Sequence, residues 1–354
     1  MNIQIELTKK PKQKPDFSKG MVPFGKIISD HMFLMDYNES DKWHSPRIVP
    51  HGMLHFDPAT TSFHYAQSIF EGMKAYKTKD GEALLFRPYE NADRFNKSAY
   101  RMYMPQIDQE LFVTAISKLV DIEKDWIPTL PGTSLYIRPF MMATEATLNL
   151  NFPETFMFCV LLSPVGLLSG SFKPVRILVE EHYVRAAPGG TGFAKCAGNY
   201  AGAMRASMEA KDKGYDQVLW LDATTRKNIE EVSAMNVFFI VEGKLVTPAA
   251  GDTILDGITR KSVIEIANDW GIKVEERLIS IDEIIEAYKS GKVQEAFSAG
   301  TAAVITPIGT LAYKSTTMVF NEGETGELTK KIFEEITGIQ TGAREDNRNW
   351  TYKI

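Results

Sequence analysis

Gly189-Gly190-Thr191-Gly192-Phe193-Ala194-Lys195-Cys196-Ala197-Gly198-Asn199-Tyr200 sets one lysine between a run of glycines and an asparagine–tyrosine pair. A glycine-dense loop lets backbone approach a ligand closely. Lysine is the side chain that forms an imine with an aldehyde, and partial desolvation makes its amine reactive. The stretch is not G-x-x-x-x-G-K-[ST], because Lys195 follows an alanine and precedes a cysteine. It is not a Rossmann G-x-G-x-x-G either, since Gly190 and Gly192 lack the third glycine at the required position. Taken alone, the signal is weak, since glycine-rich loops are usually turns.

Three downstream segments add chemistry. Asn228-Ile229-Glu230-Glu231-Val232 leads into the apolar run 237–240. A carboxylate at the start of a buried strand is costly without a cationic partner, which a protonated pyridine nitrogen would supply. The plain alternative is two surface glutamates in a loop. Leu255-Asp256-Gly257-Ile258-Thr259-Arg260 directly precedes a long helical pattern. Free N–H groups at a helix N-terminus, with a glycine and a threonine hydroxyl, suit a phosphate. An ordinary N-cap has the same appearance. Ser298-Ala299-Gly300-Thr301-Ala302-Ala303 could add a second set of donors.

Periodicity and turn residues place these segments. Residues 26–37 read as a strand, and 75–86 as a hairpin broken at Asp80-Gly81. Residues 110–126 repeat apolar side chains at helical spacing, and strands follow at 134–142 and 155–163. Two prolines, two glycines and two serines make 164–174 the best linker. The expected organisation is therefore an N-terminal domain over 1–164, a linker over 165–174 and a C-terminal domain over 175–354. In the second half, helices are expected at 200–213, 259–270 and after the capping box Ser280-Ile281-Asp282-Glu283. Strands at 217–221, 237–246, 273–279 and 303–308 alternate with them, so the class is mixed α/β.

Composition bounds the rest. The 354 residues exceed one ordinary core, which agrees with two domains. A net charge of −5 argues against nucleic acid as a partner. The densest basic stretch, Lys9-Lys10-Pro11-Lys12-Gln13-Lys14, reads as a solvated tail. Two cysteines, Cys159 and Cys196, are too few for a disulfide framework or zinc site, and the six histidines show no HExxH, so no metal is expected. No apolar stretch suffices to span a bilayer, and a cytoplasmic soluble protein is the expectation.

The order and separation of the four segments resemble the branched-chain aminotransferases of the fold-type IV pyridoxal-phosphate enzymes. Supporting stretches are Phe24-Gly25-Lys26, Asp30-His31-Met32, Tyr65 followed by Phe70-Glu71-Gly72-Met73-Lys74-Ala75, Phe86-Arg87-Pro88, Ala92-Asp93-Arg94, Tyr136-Ile137-Arg138-Pro139 and Val218-Leu219-Trp220-Leu221-Asp222. The resemblance runs from about residue 20 to the C-terminus; Phe-Glu-Gly-Met-Lys and Gly-Asn-Tyr are its specific parts. It implies a smaller N-terminal α/β domain and a larger C-terminal domain with a pseudo-barrel, which carries the lysine.

The resemblance also implies roles. Lys195 would hold pyridoxal 5'-phosphate as a Schiff base, then move the proton between Cα and C4′. Glu231 would face the pyridine nitrogen, and Tyr200 the phenolic oxygen. Arg94 would pair with the phosphate, helped by Gly257, Ile258, Thr259 and Thr301; Arg87 nearby is expected to be structural. Phe24, Tyr65, Phe70, Tyr136, Arg138 and Ala302 match the substrate-binding positions. Aromatic walls suit branched aliphatic side chains, since burying one contributes roughly 1.5–3 kcal/mol. The implied substrates are leucine, isoleucine and valine with 2-oxoglutarate, giving glutamate, and the implied assembly is a homodimer.

Ala302-Ala303-Val304-Ile305 replaces the CxxC of animal forms, so thiol regulation of that kind is not expected. Ala234 stands where a hydroxyl residue is frequent, and Leu167-Leu168-Ser169 lacks an aromatic found in some relatives. D-amino-acid aminotransferase and aminodeoxychorismate lyase share the fold and are the alternatives within it. A non-catalytic ligand- or nucleotide-binding protein is the alternative outside it.

Overall fold

Alternating apolar residues, interrupted by short turns, lay strands through the first half of the chain. They are β1 (Gln4–Ile5), β2 (His31–Asn38), β3 (Lys42–Pro50), then after α1 (Thr61–Tyr65) β4 (Ser68–Phe70), β5 (Met73–Lys77) and β6 (Ala83–Phe86). Helices α2 (Pro88–Arg101) and α3 (Gln109–Ile122) precede β7 (Ser134–Ala143) and β8 (Phe156–Val165). The second half holds β9 (Val175–Val179), α4 (Ala197–Ala201), α5 (Met204–Asp212), β10 (Gln217–Leu221), β11 (Ile229–Val232), β12 (Met235–Val241) and β13 (Lys244–Pro248). It continues with α6 (Ile258–Asp269), β14 (Val274–Arg277), α7 (Ile281–Lys289), β15 (Val293–Gly300), β16 (Val304–Tyr313), β17 (Thr316–Val319), α8 (Glu327–Gln340) and β18 (Thr351–Lys353). The structure is a computed structural model, and it describes residues 2–17, 24–166 and 172–354.

Two compact units emerge. The first comprises Met1–Gly170, Ala194–Ala197 and Gly338–Ile354. Its sheet has the order β1-β3-β2-β8-β7-β5-β6-β18, with β4 beside β7. Helices α2 and α3 bury Ala92, Phe95, Ala99, Phe112, Ile116 and Leu119 in one core with Phe33, Leu85, Ile137 and Phe158 of the sheet. The second unit comprises Ser171–Phe193 and Gly198–Thr337. There β11, β10, β9, β16, β15 and β12 pair in turn, and β11 pairs again with β12, closing a six-stranded ring. The mixed α/β class and the pseudo-barrel are both present. The ring's core holds Ile177, Leu219, Val237, Phe239 and Leu311, with Ile281, Ile284 and Ile285 of α7 against them.

Most expected elements stand within a few residues of their places. Gly81 turns the β5–β6 hairpin at φ +84°, and Glu242 and Gly243 take φ 51° and 75° between β12 and β13, a turn suited to the strand twist. Ser280 accepts a hydrogen bond from the Glu283 N–H at 3.0 Å. The Glu283 side chain pairs with Arg277 at 2.6 Å. Other stretches differ. Helix α2 carries no reading from sequence, and the expected helix 200–213 is broken between α4 and α5. The basic N-terminal stretch is tied down: the Lys12 N–H donates to Asp30 Oδ1 at 2.7 Å and Lys12 Nζ to the Ser29 carbonyl at 2.7 Å, while the Thr8 N–H donates to His31 Nε2 at 2.8 Å. Of the linker expected at 165–174, Val165 pairs with Ser134 at the end of β8, and 167–171 lie outside the described residues. The unit boundaries also differ from a single cut, since β18 pairs with β6 and Ala194–Ala197 packs within the first unit.

Candidate active site

In the first unit, Lys195 is fixed by its main chain. Its N–H donates to Ser98 Oγ on α2 at 2.9 Å, and its carbonyl accepts from the Phe70 N–H at 3.0 Å. A β-bridge between Ile69 and Cys196 continues this link to β4. The ammonium lies 4.9 Å from the centroid of the Phe70 ring. On the same ring, 4.6 Å away, rests the guanidinium of Arg138, which also donates to the Tyr136 hydroxyl at 2.9 Å. Phe24 meets Tyr136 edge-on at 4.8 Å. Arg138 Nε is buried and finds no hydrogen-bond acceptor among the described residues. Lys195, Phe70, Tyr136, Arg138 and Phe24 therefore form one aromatic–cationic wall.

Beneath it, Glu71 is fully buried and held by Arg94 through two contacts, Nε to Oε1 at 2.7 Å and a terminal nitrogen to Oε2 at 2.9 Å. Asn91 and the Gly72 N–H donate to Oε2 at 2.7 and 3.0 Å. Burial pushes the Glu71 carboxyl up, but the charge and hydrogen bonds of Arg94, with Lys195 and Asn91, bring it below the usual carboxylate range.

The second unit gathers a carboxylate, a cation and a helix N-terminus. Glu230 and Glu231 are both buried on β11. Glu231 Oε1 accepts from the Leu255 N–H at 2.8 Å, and Oε2 lies 3.1 Å from Arg185 Nε. Burial raises the Glu230 carboxyl above its usual range, against opposing contributions from Thr253 and Arg185. Thr191 and Asn199 exchange two hydrogen bonds at 2.7 Å, which fold the glycine loop against α4, the helix carrying Tyr200. Gly257 caps α6 without a side-chain bond, and Ile258 and Thr259 are buried in its first turn. The first N–H groups of any helix have no partner within it, so this turn presents donors. A Cβ on Gly257 would lie 2.1 Å from Asn236 Oδ1. Thr301 and Ala302 form the half-buried tip of the β15–β16 hairpin, which Val304 closes at φ +64°, a strained value for a β-branched residue.

Sequence reading singled out Lys195, Glu231, Arg94 and the two turns; the structure adds the partners. Arg185 was missed because a lone arginine between Tyr183-Val184 and Ala186-Ala187 has no telling spacing. The arginine's only signal is that Glu231 needs a cation. Arg87, expected to be structural, pairs with Glu90 and covers the Trp350 ring at 4.9 Å. Tyr65 joins none of the wall's ring or guanidinium contacts among the described residues; its hydroxyl donates to the Leu148 carbonyl at 2.6 Å. Among the described residues no cluster of histidine, cysteine or acidic side chains could hold a metal.

Within the first unit Lys195 offers an amine that can form an imine with an aldehyde, and within the second a buried carboxylate and a glycine-capped helix N-terminus suit a protonated ring nitrogen and a phosphate. The family pattern for class IV aminotransferases matches residues 68–311, and the chain belongs to that family. Within it the chain groups with the branched-chain aminotransferases. It is 50% identical over 354 residues to branched-chain-amino-acid transaminase 1 of Bacillus subtilis, covering 99% of both chains. It is 40% identical to the branched-chain-amino-acid aminotransferase of Mycolicibacterium smegmatis, covering 94% of this chain and 92% of that one. Among solved structures, the Escherichia coli branched-chain amino acid aminotransferase is similar with a TM-score of 0.76 at 26% identity, covering 91% of this chain and 98% of that one. The pyridoxal-phosphate form of the Thermobaculum terrenum enzyme gives 0.74 at 26% identity, covering 92% and 98%. The family's cofactor is pyridoxal 5'-phosphate.

Proposed function

We propose that the chain transfers the amino group of L-leucine, L-isoleucine or L-valine to 2-oxoglutarate, with pyridoxal phosphate held by Lys195. One observation supports this most directly: a main-chain-anchored lysine shares the Phe70 ring with Arg138, in a chain whose full-length relatives carry that activity in their names. Glu231 holds the pyridine nitrogen, Tyr200 the phenolic oxygen, and Arg94 with the turns at Gly257-Ile258-Thr259 and Thr301 the phosphate. When bound, the cofactor supplies a conjugated ring that takes up the electron pair released at the substrate Cα. Lys195 carries the proton to and from that carbon. Phe24, Phe70 and Tyr136 present apolar surface to the aliphatic side chain, with Tyr65 and Ala302 as further contacts. The buried Arg138 Nε–H offers an acceptor-free donor to a substrate carboxylate.

The purified protein should turn over L-leucine with 2-oxoglutarate and show an absorbance band near about 410–430 nm, the range of a cofactor bonded to an amine. Borohydride followed by peptide mass analysis should place the pyridoxyl group on Lys195. Turnover of D-leucine alone, or a protein that stays colourless with pyridoxal phosphate, would overturn the reading.

The chain works as a homodimer and in the cytoplasm. Leu148, Leu150 and Phe152 are 66%, 79% and 74% exposed, and Phe152 packs on exposed Tyr103 at 4.8 Å; several large exposed apolar side chains in one short stretch support an association face there. Light scattering should give twice the chain mass, falling to one chain when Leu148 and Leu150 are both changed to Asp. Two buried free thiols suit a reducing compartment. Among the described residues no helix is long and apolar enough to cross a membrane.

A further inference from the structure

Arg185 is nearly as buried as the carboxylate it faces, with side-chain exposures of 8% and 3% for Arg185 and Glu231. A charge in such a place is tolerated only when something compensates it. Its Nε is 3.1 Å from Glu231 Oε2, yet among the described residues that N–H has no hydrogen-bond acceptor, so the contact is an ion pair without a hydrogen bond. The hydrogen bonds go to main chain instead. A terminal nitrogen donates to the Thr253 carbonyl and, at 3.4 Å, to the Gly192 carbonyl. The same two stretches are joined independently by the Phe193 N–H, which donates to the Asp252 carbonyl at 3.0 Å.

One guanidinium thus touches three parts: the carboxylate on β11, the glycine loop just ahead of Lys195 in sequence, and the 252–255 turn that leads into α6. Leu255 of that turn grips the other oxygen of Glu231 at 2.8 Å. Together these contacts, one on each oxygen, set the direction of the carboxylate.

The geometry points to Arg185 as the positioning residue for Glu231: it supplies the countercharge and aims the carboxylate at the cofactor's ring nitrogen, while tying the glycine loop to the α6 turn. Arg185 itself touches no reacting atom. The inference rests on the role proposed above for Glu231. A lysine at 185 would keep the charge but could not span ion pair and carbonyls together, because it lacks the planar fork.

The test is a double-mutant cycle on the affinity of pyridoxamine 5'-phosphate, which binds without a bond to Lys195, read by tryptophan fluorescence on the cofactor-free full chain. Arg185→Met should weaken binding about 10- to 100-fold, as loss of a supporting contact behind a ligating group does, and Arg185→Lys by less. In a Glu231→Gln background the same Arg185→Met change should cost less than about threefold, because residues acting through one another are not additive. The double variant buries no unpaired charge, so it also serves if Arg185→Met alone fails to fold. In the lysine-bonded holoprotein, the pH at which the absorbance band shifts should move in Arg185→Met and return toward wild type in Arg185→Lys. Equal loss in both backgrounds, or wild-type affinity in Arg185→Met, would overturn the inference and leave the site reading intact. A wild-type protein that binds no pyridoxamine phosphate would instead overturn the site reading.

Discussion

The main chain of Lys195 is anchored on both sides. The N–H to Ser98 and the carbonyl from Phe70 would both survive truncation of the side chain. Lys195→Ala is therefore expected to keep the circular dichroism and melting temperature of the parent within about 1–2 °C, on the usual scale of surface changes, while multiple-turnover transamination disappears. Measurable multiple turnover would remove the lysine from its role. The sequence marked this residue because an amine among glycines is chemically unusual. It marked Glu231 because a carboxylate ahead of an apolar run is costly. Arg185 and the Glu71–Arg94 pair stayed hidden, since their partners lie tens of residues apart and only folding brings them together.

Elements were legible where local rules act alone. The 80–81 and 242–243 turns, the Ser280 cap and the glycines at 214, 271 and 291 each announce a boundary through backbone chemistry. Helix α2 was not legible. Pro88 opens it and Arg87 takes φ 50° before it, while its buried face mixes small and polar residues, Asn91, Ala92, Arg94, Ser98 and Ala99, around Phe95. Its signal is weak because polar side chains stand where an apolar stripe would mark the helix. The α6 N-terminus carries a sharper expectation. Gly257→Ala would place a methyl 2.1 Å from Asn236 Oδ1, whose amide also donates to the Leu255 carbonyl at 2.9 Å. Overpacking of this kind costs about 1–3 kcal/mol. Chemical denaturation should show that loss, and fluorescence titration should show weaker cofactor binding; unchanged affinity would separate this turn from the phosphate.

At the scale of the whole molecule, buried charges shape the response to pH. Burial lowers the Lys74 amine from 10.5 to about 8. Between those values the unfolded chain binds more protons than the native one, so stability rises with pH across that window. Lys74→Met lacks this contribution, so the parent's stability should rise more than the variant's between about pH 8 and 10. Parallel curves in paired urea titrations would refute it. Glu71→Gln should act differently, costing about 3–5 kcal/mol in the cofactor-free chain because it removes one partner of a buried ion pair; a urea midpoint near the parent's would show the pair to be dispensable.

The ring closure of the second unit has a consequence for these two adjacent acids. Neighbours along a strand face opposite sides, so a slip of a single position would exchange Glu230 for Glu231. An edge strand could slide that far by giving up one ladder. Strand β11 is paired to β10 on one flank and β12 on the other, with Glu231 opposite Asn236. A slip there breaks both ladders at once. The closed ring is thus a lock on spelling: of two identical letters in a row, it decides which one the guanidinium reads.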